Sequence, residues 1–284
     1  MRLLGVTLQT LGVIIAVYMA ASLKSWKMIE NYGSFKLIII FACATGLASF
    51  GLYIYHVGKK MTVKTAGETT MDDPRNPVLY LRSFTDDKVA ATVVERSPLE
   101  LNIMRTPPRL TEEEIIANEL SRIGPCVAVG SPGERLPALG MARRYYENDE
   151  WQEGVQRLMQ SAELVVMRAT SGVTPGFLLE LERAVKIVDP KKLLIILPFM
   201  IEDEHDANSI ELGKYEKFRE ATNKLLPKEL PLFSVEKVPW MSLSAVVTFQ
   251  SDWTPKILRL FEIGSTLKES FETISKRYSN HGTI

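Results

Sequence analysis

Residues 164–184, LVVMRATSGVTPGFLLELERA, decide the fold. Leu164–Met167 is a compact apolar run with two β-branched valines, the pattern of a strand covered on both faces. Ser171, Gly172, Thr174 and Pro175 then break it. Thr174 is a good helix N-cap, and Pro175 falls at the first helical position, where its missing N–H costs nothing. Beyond Phe177, Leu181, Ala184, Val185 and Val188 recur at helical spacing and define a core face. Glu182 and Lys186 stand four apart and point outward as a solvated pair. Glu180 lies in the second turn beside the apolar arc. In an open α/β sheet a helix start sits above the carboxyl edge of the strands, where ligands bind, so Glu180 borders that crevice. The plain alternative is a boundary carboxylate with no further role.

Outward from that unit, strands and helices alternate. Pro77–Phe84 reads as the first strand, followed by a long irregular segment to Leu110. Thr111-Glu-Glu-Glu114 is a capping box opening a helix with Ile115, Ile116, Leu120 and Ile123, and Gly124 ends it. Cys126–Val129 reads as the second strand, then comes a Gly- and Pro-rich loop over 130–140. Arg143, Arg144, Tyr145 and Tyr146 read either as a cradle for phosphates and a base or as a solvated cluster. Asp149 can cap a helix marked by Trp151, Val155, Leu158 and Met159. Lys192–Phe199 and Ala245–Phe249 complete five strands, with helices over Asp206–Leu226 and Trp253–Thr273. The alternation predicts an α/β fold, a five-stranded parallel doubly wound sheet of the flavodoxin-like kind, over residues 77–284.

The N-terminal quarter differs. Residues 3–23 and 37–55 carry no charge, and each is about long enough to cross a bilayer, which takes roughly 20 apolar residues. Trp26, Tyr32, Tyr53 and Tyr55 lie where interfacial aromatics sit. Residues 1–57 therefore read as a two-helix transmembrane hairpin, and 58–76 as a polar linker. Arg2 before the first run and Lys59, Lys60 and Lys64 after the second outweigh Lys24, Lys27 and Lys36 between them. Both termini are thus expected inside, with the following domain cytoplasmic at the inner (cell) membrane, multi-pass. Ala42 and Gly46 have the spacing of a helix-contact face or of lipid-facing filler.

Composition removes several functions. The 34 Lys and Arg balance the 34 Asp and Glu, so no nucleic-acid footprint is expected. Two cysteines, Cys43 and Cys126, do not make a disulfide framework. The three histidines, His56, His205 and His281, have no metal-ligand spacing, so no metal and no bound cofactor is expected. There is no Walker A loop, GxGxxG or Gly-x-Ser-x-Gly.

Two stretches carry a resemblance. VLYLRSFTDD, residues 78–87, is similar to the first strand of a Toll/interleukin-1 receptor (TIR) domain of bacterial type with its acidic follow-on. MRATSGVTPGFLLELERAV, residues 167–185, is similar to the TIR stretch ending Trp-Cys-x-x-Glu-Leu-x-x-Ala. Glu180, Leu181 and Ala184 match it, while Gly176 and Phe177 stand at Trp-Cys. Gly176-x-x-x-Glu180 also resembles the end of the Pro-Gly-Gly-x-Gly-Thr-x-x-Glu motif of nucleoside-monophosphate phosphoribohydrolases (the LOG family). Both resemblances imply cleavage of an N-glycosidic bond, with Glu180 as the catalytic carboxylate stabilising an oxocarbenium-like centre. NAD is then the candidate substrate. Arg82, Ser83 and Phe84 ending the first strand, Arg168 and Thr170 ending the third, and Gly176 are the candidate substrate-binding residues. The TIR resemblance further implies self-association, and bacterial defence effectors join such domains to membrane spans. Besides the bilayer, the expected partner is a nucleotide. The alternatives are a non-catalytic signalling or scaffold module and a nucleotide-binding sensor.

Overall fold

A computed structural model describes residues 2–24, 43, 46, 49–51, 53–55, 57–82, 110–130, 139–147, 150–169, 173–197, 207–232 and 245–281. The chain forms two compact units, one of Met1–Val63 with Arg135–Leu139, the other of Lys64–Glu134 and Gly140–Ile284.

The first unit is built on α1 (Arg2–Lys24). Its backbone meets that of helical residues near position 51 at a glycine pair. A Cβ at Gly12 would lie 2.5 Å from the Gly51 oxygen, and one at Gly51 would lie 3.0 Å from the Gly12 oxygen. Small residues allow this close approach. The Gln9 amide also donates to the Thr62 hydroxyl at 3.2 Å. A Cβ at Gly46 would meet nothing, so that glycine is not the contact point, and Ala42 lies outside the described residues. Leu3, Leu4, Val6, Leu11, Val13, Ile14, Phe50 and Tyr53 are exposed. Among the described residues no helix is long and apolar enough to cross a membrane. Most of the second apolar run lies outside them.

The second unit is a three-layer α/β domain. Its strands are β1 (Val78–Arg82), β2 (Cys126–Val129), β3 (Ala142–Arg144), β4 (Leu164–Arg168), β5 (Leu193–Leu197), β6 (Ala245–Phe249) and β7 (Pro255–Arg259). They form one sheet in the order β3-β2-β1-β4-β5-β6-β7. The pairs from β3 to β5 are parallel, and β5–β6 and β6–β7 are antiparallel. Seven strands thus stand where the sequence predicts five. The five predicted ones keep the flavodoxin-like order among themselves, but the fifth runs the other way.

Both extra strands have a physical reason. β3 is three residues of an arginine-bearing edge, too short to show an apolar period. β7 occupies the start of the predicted closing helix. Pro255 opens this edge strand, the position in a sheet that tolerates a missing N–H. A tight turn joins it to β6. The Trp253 N–H donates to the Gln250 carbonyl there and the Gln250 N–H to the Thr254 carbonyl, both at 2.9 Å, and Trp253 sits at φ 65° with its ring edge-on to Phe249 at 5.4 Å.

Residues 58–76 are not only linker. Thr65 and Glu68 form a capping box on α2 (Ala66–Asp72), and Ala66 packs on Val127 and Ala142. The remaining helices are α3 (Glu112–Leu120), α4 (Trp151–Ser161), α5 (Pro175–Ile187), α6 (Ala207–Thr222), α7 (Leu260–Ile263) and α8 (Leu267–His281). Strand alternation divides the core. Leu79, Leu81, Val165, Met167, Ile195 and Val247 face α4, α5 and α6. Val78, Tyr80, Ala128, Leu164, Val166 and Ile196 face α3, α7 and α8. The sheet therefore carries two separate cores and two separate rims at its carboxyl edge.

Gly140 secures the first turn of α3 against β3. Its φ is +123°, and an added Cβ would fall 2.7 Å from the Glu113 backbone carbon. Gly140→Ala should lower stability by about 2 kcal/mol or more, seen as a lower urea midpoint, because both strain and clash oppose it. Gly176→Ala, where a Cβ meets nothing, should leave the midpoint unchanged or raise it.

Candidate functional site

β1 and β4 lie side by side, yet the chain leaves β1 for β2 and β3 on one flank before returning to β4 on the other. Their carboxyl ends mark the topological switch point, where open α/β sheets hold ligands. Arg82 and Arg168 are cross-strand partners there. Their side chains follow the phase of Val78, Tyr80, Leu164 and Val166, toward α3. The first turn of α3 meets them with carboxylates. Arg168 Nε donates to Glu112 Oε1 at 3.0 Å, with both side chains 2% exposed. Arg82 Nε lies 3.2 Å from Glu113 Oε2. Arg143, from β3, donates through Nη2 to Glu113 Oε1 at 2.6 Å, and the Met141 N–H reaches the same oxygen at 3.3 Å.

Glu114 closes the capping box that the sequence predicts. It accepts from the Thr111 N–H at 2.9 Å, and Thr111 Oγ accepts from its N–H at 3.2 Å. Arg82 and Arg168 are therefore engaged by the protein's own carboxylates. Asp86 and Asp87, the acidic follow-on to the first strand, lie outside the described residues. The glutamates that actually pair are Glu112 and Glu113, whose visible signal was three consecutive acids opening the helix that follows β1.

Glu180 lies on the opposite face. Thr174 caps α5, its hydroxyl accepting from the Phe177 N–H at 3.2 Å, and Pro175 begins the helix. Phe177, Leu181 and Ala184 are buried against the sheet, and Phe177 meets Phe218 of α6 with ring centroids 5.8 Å apart. Glu182 and Lys186 form the exposed pair expected of them, at 2.6 Å. Helical geometry puts Glu180 between Ala184 and Arg183. Arg183 itself is turned to α4, donating to the Gln152 carbonyl and to its side-chain oxygen at 3.0 and 2.6 Å. Glu180 makes no hydrogen bond or ion pair among the described residues. Burial pushes its carboxyl up to about 8, against the opposing pull of Arg183.

The single crevice that the sequence predicts, shared by Glu180, Arg82 and Arg168, is thus two rims separated by the sheet. Gly176 belongs to the Glu180 rim, exposed in the first turn of α5 with open space above it. Ser83, Phe84 and Thr170 lie outside the described residues, as does Asp149. Of the Arg143–Tyr146 run, Arg143 is buried, while Arg144 is exposed and stacks over the Tyr146 ring at 5.7 Å. Among the described residues no group of His, Cys, Asp and Glu could hold a metal ion. Cys126 is buried, its thiol pushed up to about 12. That value makes it unreactive at neutral pH.

Chemically, a carboxyl with this proton affinity is mostly neutral at pH 7. It is a proton donor there, and a fixed anion only above about pH 8 or beside a cationic ligand. No protein-family model matches the chain, and neither a curated protein nor a solved structure matches it.

The raised Glu180 value ties stability to pH. Protonated in the folded state and ionised in the unfolded one, the carboxyl favours folding fully below its ordinary value near 4.5. That contribution fades as pH rises to about 8. Part of the side chain still reaches solvent, so the loss should be on the order of 2 kcal/mol rather than the full shift. Urea unfolding between pH 5 and 9 should show the wild type losing stability with rising pH and Glu180→Gln losing less, the variant being the more stable of the two at pH 9.

Proposed function

We propose that this chain is a membrane-anchored, TIR-like NAD glycohydrolase, a bacterial defence or stress effector that cleaves the bond between ribose and nicotinamide. In this reading residues 1–57 form a two-helix transmembrane hairpin in the inner (cell) membrane. The α/β domain sits on the cytoplasmic side, and self-association activates it. The observation that carries the proposal is Glu180: a lone carboxyl without a protein partner among the described residues, at the start of a helix over the carboxyl edge, with its proton affinity raised by burial.

The chemistry is consistent with that setting. Departure of the base leaves positive charge on the ribose, and a nearby carboxylate stabilises it most strongly where water is scarce. The nicotinamide of NAD is already cationic, so it leaves without acid help, and its charge favours the ionised form of Glu180 on binding. Nucleoside monophosphates, whose bases are neutral, would instead use the protonated form as general acid. Gly176 leaves the first turn of α5 open to close approach. Ser83, Phe84 and Thr170 remain part of the proposed substrate set. Arg82 and Arg168 do not, since Glu113 and Glu112 hold them on the other face. For the anchor, the support is the exposed apolar surface of α1 together with the glycine-mediated helix contact.

That same engagement favours a second reading, a non-catalytic scaffold or signalling module. Among the described residues a nucleotide's phosphates find no unengaged guanidinium at the switch point, and the face with α3 is closed by ion pairs.

Full-length protein concentrated in detergent or liposomes should release nicotinamide from NAD. Glu180→Gln should reduce the rate by at least about a hundredfold without changing far-UV circular dichroism. The wild-type kcat/KM should rise with pH and level off above about 8, as Glu180 ionises in the free protein. No base released from NAD, NADP or nucleoside monophosphates at any protein density would leave the scaffold reading standing.

A further inference from the structure

We propose that Gln152 of α4 is a positioning residue for Glu180: it holds the Arg183 guanidinium off the neighbouring carboxyl, and once that hold is loosened Arg183 turns and pairs with Glu180 instead. This rests on the reading of Glu180 as the working carboxyl and adds what governs it.

Two helices build the contact. α4 and α5 belong to one buried cluster through Val155, Met159, Leu181 and Ala184. Gln152, in the first turn of α4, is exposed, and Arg183 is half-buried. Arg183 Nη1 donates to the Gln152 carbonyl at 3.0 Å, and Nη2 to its side-chain oxygen at 2.6 Å. A planar fork set on two oxygens of one residue has its direction fixed. Glu180 stands three residues before Arg183 on the same helix. Positions three apart are neighbours on a helix surface, with about 5–6 Å between Cβ atoms. One cation therefore has two acceptors within reach, and Gln152 holds it.

The other charged groups on the elements packed against α5 are engaged elsewhere or turned to solvent. On α5 itself Glu182 pairs with Lys186. On α4 Glu153 pairs with Arg157 at 3.5 Å. On α6 Tyr215 donates to the Pro231 carbonyl at 2.7 Å and Arg219 to the Leu230 carbonyl at 2.8 Å, while Glu216, Lys217 and Glu220 are exposed. The strand residues beneath, Leu81, Met167 and Ile195, are apolar. Among the described residues Arg183 is the one charge acting on the Glu180 carboxyl, and it opposes the larger effect of burial.

Charge decides between the two acceptors. A neutral carboxyl offers a guanidinium less than an amide oxygen and a main-chain carbonyl together, so protonated Glu180 leaves Arg183 with Gln152. An ionised carboxylate where water is scarce makes the stronger, charge-assisted pair. The two events are linked, and the linkage is reciprocal. Loosening Gln152 favours the anion, and forming the anion loosens the bonds between α4 and α5. In the glycohydrolase reading the anion stabilises the ribosyl cation. Gln152 then sets the pH at which the anion forms, and keeps it clear of Arg183, without touching substrate.

The test is urea unfolding of the full chain in detergent from pH 5 to 9. Each variant is compared with the same variant carrying Glu180→Gln, so that the difference reports Glu180 alone. In the wild type this difference should stop changing near pH 8. Gln152→Ala should bring that end point down by about one pH unit, as an opposite charge drawn onto a carboxylate does. Gln152→Glu, which keeps an acceptor in place, should not bring it down. In an Arg183→Met background Gln152→Ala should leave the end point alone, because the cation it would release is gone. A role in stability only would move the unfolding midpoints and not these end points. An unmoved end point in Gln152→Ala, or one moved equally with Arg183→Met present, overturns the proposal. Should Arg183→Met fail to fold, Gln152→Ala and Gln152→Glu decide the matter alone. The measurement needs no turnover. A lowered end point without nicotinamide release supports the positioning role and tells against the glycohydrolase reading, whereas release with an unmoved end point does the reverse. Where NAD is cleaved, kcat/KM of Gln152→Ala should level off at a lower pH and a lower plateau, since Arg183 then shields the anion.

Discussion

Glu113 holds two arginines from two strands with one carboxylate. That arrangement links α3, β1 and β3 at the carboxyl end of the sheet. Breaking one partner of such a buried pair typically costs about 3–5 kcal/mol, because the other charge is stranded out of water. The corner is consequently held by charge as well as by shape. Gly140 is bound to the same arrangement, since only a residue without a Cβ lets the Glu113 backbone come so near. Glu112 and Arg168 extend the network to β4, so the switch point of the sheet is closed from within on one side.

The closure gives the two faces of the carboxyl edge different characters. On the α3 side, charges are paired and buried, and the chemistry is that of holding. On the α5 side, a carboxyl stands without a partner among the described residues, its proton retained by burial, and the chemistry is that of proton exchange or charge stabilisation. A parallel sheet makes this division unavoidable. Alternate residues on one strand end address opposite layers, so neighbours in sequence such as Leu81 and Arg82 serve different rims.

Much of the central fold was legible. Compact apolar runs gave β1, β2, β4, β5 and β6, and the caps at Thr111 and Thr174 were plain from residue type and spacing. The short polar edge β3 was not, because three residues containing two arginines have no hydrophobic period to read. β7 reads as the start of a helix because Ile257 and Leu260 suit the helical period of Phe261, Ile263 and Leu267 beyond them. Thr65 and Glu68 did carry a capping signature inside a segment whose composition suggested linker. In the candidate site, Glu180 beside the apolar arc was readable from the helical wheel. That Arg82 and Arg168 turn the other way was not, since strand ends show their phase only once the register is known. The partnership of Glu113 with Arg143 was beyond reach for a different reason: it joins residues far apart in the chain through a strand that the pattern did not reveal.

The antiparallel corner formed by β6 and β7 has a bearing on how the chain assembles. Its two strands are joined by one tight turn, pinned by Asp252, whose carboxylate accepts from the Thr254 N–H at 3.0 Å and from Lys228 Nζ at 2.6 Å. Neighbours along the chain become neighbours in space there at little entropic expense. The parallel pairs, by contrast, each wait for a crossover to be threaded and packed. The edge farthest from both rims is thus equipped to form by itself and offer β5 a ready-made border, while the parallel end of the sheet consolidates only when distant stretches have met.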